Sequence, residues 1–187
     1  MSELTITHNG IAQTAKTGSD KKSGIVITPS ITVSTDAYAA NDLLFDKVEL
    51  SNAVSVKGGV SKLTSVFMYN EDGVAAEDFL VLFFNNSTSI GVNANEAVSG
   101  ITDAEFKASG FIGSCFLNGG ETGYSVGNGR ILSLPGNSDK GPNLPILVQA
   151  ANNSTSIYVA VIVITDTPDY ASASDGCKMT FGFEYLD

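Results

Sequence analysis

Residues 79–84 read FLVLFF, six apolar side chains in succession. No other stretch constrains the fold as strongly. The run is far shorter than the roughly 18 apolar residues that a membrane span requires. It is also too short for a helix to be its default state, so it reads as a strand. Side chains alternate across a strand, and here both sets are apolar: Phe79, Val81 and Phe83 on one face, Leu80, Leu82 and Phe84 on the other. A strand of that kind belongs in the middle of a core, with both sets mostly buried.

The rest of the chain repeats the theme with shorter or more mixed apolar segments. Strands are expected over 25–33, 43–50, 54–56, 60–69, 111–117, 130–134, 144–150, 157–164 and 178–186. Segment 25–33 contains Pro29, which cannot donate to a ladder, so that strand should lie at an edge or carry a bulge. In 60–69, Leu63, Phe67 and Tyr69 share one parity while Val66 and Met68 share the other, as though the sheet were packed on one side and partly covered on its second. Gly58-Gly59, Asn85-Asn86-Ser87, Asn118-Gly119-Gly120 and Asn128-Gly129 mark turns. A single short helix is expected near 102–108, with Thr102 as N-cap, Glu105 completing a capping box and Gly110 closing the C-terminal end. About ten strands and one helix exclude a βαβ architecture. The expected fold is all-β, an antiparallel β-sandwich. Residues 1–24 carry little apolar content and read as an N-terminal arm or disordered segment, leaving 25–187 as the sandwich domain.

Charge narrows the function. Only 16% of the 187 residues are charged, and ten Lys and Arg stand against twenty Asp and Glu, for a net charge of −10. Nucleic acid and anionic membranes both need clustered basic residues, so neither is an expected partner. Bulk disorder is excluded because 43% of the residues are hydrophobic and charge density is low. The opening MSELTITHNG has neither a basic region nor an apolar run, so a secretory leader is not expected. In that context Cys115 and Cys177 read as buried thiols rather than a disulfide.

Little material is left for catalysis. His8 is the only histidine, it sits in the polar N-terminal segment, and no nucleophile elbow accompanies it. One histidine and two separated cysteines do not make a zinc site. The glycine-rich 119–129 segment lacks the lysine and the following helix of a phosphate loop and reads as a hairpin or loop tip. Two acidic groups, Asp36/Asp42/Asp46 and Glu71/Asp72/Glu77/Asp78, lack EF-hand spacing and read as solvated loops. No enzyme activity, cofactor or metal is therefore expected.

Three stretches, taken together, carry a resemblance. They are 34–46 (STDAYAANDLLFD), 60–69 with Glu71-Asp72 and the apolar run to Asn85, and 157–187 from IYVA through TDTPDY to FGFEYLD. In this order they resemble a group of small virion proteins of tailed phages, many of them phages of marine bacteria. The resemblance covers roughly 25–187. It implies a jelly-roll-like sandwich that works as a capsid decoration or cement protein, assembled in the host cytoplasm into the virion, trimeric by preference, with the major capsid protein as partner. It also implies a role for the N-terminal arm, in which Lys16, Lys21 and Lys22 would meet acidic capsid surface. Two alternatives stand beside it. One is a neck, tail or fibre-base position in the particle. The other is a glycan-binding sandwich using Tyr124 or Tyr170.

Overall fold

A computed structural model describes residues 3–8, 11–16, 23–71, 77–134, 144–165, 167–174 and 176–186; for 3–8, 11–16, 121 and 122 it gives the course of the backbone only. In chain order the elements are β1 (Glu3–His8), β2 (Ile11–Lys16), β3 (Gly24–Ile27), β4 (Leu43–Leu50), β5 (Val60–Asn70), β6 (Phe79–Phe84), α1 (Asp103–Ala108), β7 (Phe111–Leu117), α2 (Gly119–Thr122), β8 (Gly123–Val126), β9 (Gly129–Leu134), β10 (Ile146–Gln149), β11 (Ile157–Val163) and β12 (Cys177–Tyr185).

Ten of the strands form two antiparallel sheets packed as a sandwich. A six-stranded sheet runs β3-β12-β5-β9-β8, with β10 also paired to β5. The long β5 gives one edge to β12 and divides the other: Val60–Leu63 pair with β10, and Val66–Asn70 with β9. A four-stranded sheet runs β4-β11-β6-β7. The chain crosses between sheets at each step from β3 to β6, again between β7 and β8, and at the entries to β11 and β12. That produces the interleaved order of a jelly roll. Strands β1 and β2 form a separate hairpin, with Glu3 opposite Lys16 and His8 opposite Ile11.

The apolar run forms β6, flanked by β11 and β7. Phe79, Val81 and Phe83 face the six-stranded sheet, and Phe83 meets Phe181 of β12 edge-to-face at 6.0 Å. Leu82 and Phe84 point the other way, into a second apolar cluster with Ile90, Val92, Ala160 and Ile162, and Leu80 packs on it half-buried. The β6–β7 connection supplies the cover for this second face. It carries α1, whose capping box is formed: Glu105 N donates to Thr102 Oγ1 at 3.3 Å, and Thr102 N donates to Glu105 Oε2 at 2.9 Å. Gly110, with φ of +70°, ends the helix as expected. Phe106 then packs against Phe111 and the sheet.

Several expectations are corrected. Strand 25–33 ends at Ile27, before Pro29, and lies at the sheet edge; Ile31 and Val33 are buried outside any ladder. Residues 54–56 lie in a bend and not in a strand, although Val54 is buried. In place of the turn expected at 118–120, the single helical turn α2 begins at Gly119. The β8–β9 loop is Gly127-Asn128, one residue earlier than expected, and Gly127 takes the positive φ of +62°. The mixed parity of β5 has a different cause from partial cover. Gly182 pairs with Ser65 but Phe183 pairs with Leu63, so Thr64 is an extra residue. This β-bulge flips the strand, and Ser61, Leu63, Val66, Met68 and Asn70 all face the core.

Candidate functional site

The two sheets differ in what covers their outer faces. Among the described residues no element packs on the outer face of the six-stranded sheet, and its outward residues follow from register. One row is Tyr124, Ile131, Tyr69 and Lys178; the next is Ser133, Phe67 and Thr180; a third is Ser65, Gly182 and Val26. Leu147 and Lys62 stand opposite each other on β10 and β5, with Glu184 beside Lys62. Large apolar side chains on this face keep much of their area in water: Tyr124 76%, Val26 72%, Leu147 63%, Phe67 48%, Val126 45% and Ile131 40%. Single exposed apolar residues are ordinary, but a contiguous patch of them marks a contact surface. Phe67 stands between the small side chains Ser133 and Thr180, so its ring projects above its neighbours.

This face is poor in charge. Its strands contribute only Lys62, Lys178 and Glu184, and Lys62 Nζ is 2.8 Å from Glu184 Oε2. The chain has a net charge of −10, and among the described residues the other acidic side chains lie outside these strands.

The four-stranded sheet offers two smaller features. A cleft of about 390 Å³ lies between α1 and the sheet, lined by Leu82, Val98, Ile101, Phe106 and Ile162. A polar cleft of about 410 Å³ is lined by Asn85, Asn86, Ser87, Asn153, Ser154 and Tyr158. Between them, Lys47 of β4 holds the cover down. Its Nζ donates to Thr88 O at 2.6 Å, Ser109 O at 2.8 Å and Asn86 O at 3.4 Å, and lies 3.8 Å from the centre of the Phe84 ring. Burial pushes this ammonium down to about 8.

The residues considered for chemistry are placed as follows. Cys115 and Cys177 are free and buried, and burial pushes both thiols up to about 12, which leaves them unreactive near neutral pH. Asp42 accepts from Ala39 N and Asp46 from Ala94 N, so these carboxylates brace loops. Glu77 and Asp78 are buried and not solvated as expected: Asn70 Nδ2 donates to Glu77 and Gly119 N to Asp78. Asp72 lies outside the described residues. Among the described residues no three His, Cys, Asp or Glu side chains are grouped to hold a metal ion, and no helix is long and apolar enough to cross a membrane.

The two tyrosines named for glycan stacking separate. Tyr124 is exposed, whereas Tyr170 is 2% exposed and packs edge-to-face on Tyr38 at 5.9 Å, so it offers no platform. Of the basic residues assigned to a partner, Lys16 ends β2, and Lys21 and Lys22 lie outside the described residues. Sequence reading missed the apolar face itself. Alternation would have exposed it only with the Thr64 bulge known, because without the bulge Leu63 and Phe67 appear to share one face.

No family model matches the chain, and neither the curated proteins nor the solved structures include a match.

Proposed function

We propose that this chain is a structural protein of a bacteriophage particle, a capsid decoration or cement protein bound to the outside of the major capsid shell. The observation that carries the reading is the charge-poor apolar face on a jelly-roll sandwich: it is a surface suited to being covered. The sequence resemblance over 25–187 supplies the particle. Cement proteins hold shells by burying area across seams between capsomers, and many weak copies gain strength through avidity. A homo-oligomer, a trimer by preference, presents several such contacts at once.

The acidic remainder of the surface complements a basic shell. The N-terminal segment with Lys16, Lys21 and Lys22 is proposed to reach a neighbouring subunit. An isolated two-stranded hairpin is marginal in water, so β1 and β2 gain most from such a neighbour.

The test is quantification of this chain in purified particles. A copy number in step with the major capsid protein is the expected result. A number in step with the portal would move the protein to the neck or tail, and absence from particles would end the virion reading. Binding to isolated shells should weaken as salt rises, because exposed charge pairs are screened. Removing residues before Gly24 should lower shell occupancy; undiminished occupancy would remove the arm from the contact.

A further inference from the structure

We infer that the outer face of the six-stranded sheet packs against the same face of a second copy of this chain. The inference rests on the reading that the protein works through contact surfaces, and it names the occupant of that face. Three observations select a copy of itself.

The first is charge. Two molecules that each carry −10 repel, and they can meet closely only through surface without acidic groups. In the strands of this face the single acidic side chain, Glu184, is already paired with Lys62. Together with Lys178 the face is nearly neutral, so like faces meet with little electrostatic penalty. A strongly basic partner, in contrast, would be drawn to the acidic sides and gain nothing electrostatic here.

The second is area. The six strands hold 4, 9, 11, 6, 4 and 4 residues. At about 3.3 Å per residue along a strand and about 4.8 Å between strands, they cover roughly 600 Å². That is the lower end of what each partner contributes to a standard stable interface, about 600–1,000 Å².

The third is shape and composition. Sheets pack face to face about 10 Å apart through interdigitating side chains. Here projecting residues alternate with low ones: Phe67 lies between Ser133 and Thr180, and the exposed Val26 lies beside Gly182. A second copy brings the same ridges and hollows. Tyr124 at the rim adds an aromatic with a polar tip, a residue type enriched in interfaces.

The experiment is light scattering of the full chain across a salt series, with binding to isolated shells measured in parallel. The native chain should have twice its 19.4 kDa mass, since a face that packs on its own like closes as a pair. Association should hold or strengthen as salt rises, because repulsion between acidic bodies is screened while apolar contact persists. Phe67→Glu should return the mass to that of one chain while circular dichroism stays unchanged, since the side chain is half exposed. Val56→Glu, at an exposed apolar position outside this face, should leave the assembly intact. A native chain that remains single at every salt concentration overturns the inference, as does an assembly that survives both Phe67→Glu and Leu147→Glu. A single native chain whose Phe67→Glu variant loses shell binding also overturns it and assigns the face to the shell protein. Self-association without any shell binding leaves the inference standing and defeats the decoration reading instead.

Discussion

The two sheets of this sandwich share a core and differ in their backs. The four-stranded sheet is covered twice, by the other sheet inside and by the 85–110 connection outside. Among the described residues the six-stranded sheet is covered once. The sequence of each central strand records the difference. β6 is apolar at all six positions because both sets of side chains find apolar partners. β5 alternates, with Ser, Thr, Lys and an exposed Phe on its outward positions. An apolar outward residue therefore carries opposite meanings on the two sheets. On β6, Phe84 is core. On β5, Phe67 is surface, one of several large apolar side chains that this face leaves in water.

The largest expected effects test the double cover. Phe83→Ala and Phe84→Ala should each cost about 3–5 kcal/mol in chemical denaturation, although they point to opposite sides of one strand. Both side chains are fully buried. A cost for Phe83 alone would show the outer cluster to be a loose cap and would erase the distinction between the sheets.

The next effect concerns the bulge that gives β5 its facing. A Cβ on Gly182 would lie 2.3 Å from Ser65 Oγ. Gly182→Ala should therefore destabilise by roughly 1–3 kcal/mol, as overpacking does. Ser65→Ala removes the obstructing oxygen, and the next atoms, Thr64 Oγ1 at 3.4 Å and Ser65 Cβ at 3.6 Å, lie at ordinary van der Waals distance. The double variant should recover most of the loss in a double-mutant cycle. Simple additivity would mean that the bulge tolerates a side chain and does not fix the register.

The same bulge marks the limit of what the sequence discloses. The FLVLFF run, the capping box at Thr102 and Glu105, and the strand segments around 43–50, 111–117 and 157–163 are legible because each depends on neighbours close in the chain. The end of β3 at Ile27 is partly legible through Pro29. The facing of β5 is not. It depends on one residue, Thr64, which shows itself only when paired with β12 more than a hundred positions away. The candidate surface inherits that opacity, since Phe67, Ile131 and Leu147 read like core residues until the register is known. Lys21 and Lys22 are legible as a charge pair, but nothing local dictates what they would meet.

A smaller effect isolates the clamp on the covered sheet. Unfolded, Lys47 titrates near 10.5, and burial lowers it to about 8 in the folded chain. Between those values the unfolded state binds more protons, so this group makes stability rise with pH. The buried thiols of Cys115 and Cys177 move from 9 to about 12 and act with the opposite sign above pH 9. Lys47 is thus read between pH 8 and 9. The slope of unfolding free energy against pH should be more positive in the native chain than in Lys47→Met. Coincident slopes would mean that its three carbonyl partners offset the burial, and that the cover is held without electrostatic cost.

The smallest effect carries the contrast between the sheets. Phe67→Thr keeps a residue suited to a strand and removes a half-exposed ring from the uncovered face. In dilute solution, where single chains predominate, its unfolding free energy should stay within about 0.5 kcal/mol of the native value. At concentrations that favour association the native chain should gain stability that Phe67→Thr does not, because whatever binds only the folded state stabilises it by mass action. Phe84→Ala should show no such concentration dependence beyond that of the native chain, since its loss lies inside the molecule. Equal losses for Phe67→Thr at low and high concentration would place Phe67 in the fold's own energetics. The uncovered face would then be a surface like any other, and the two sheets would differ in composition without differing in purpose.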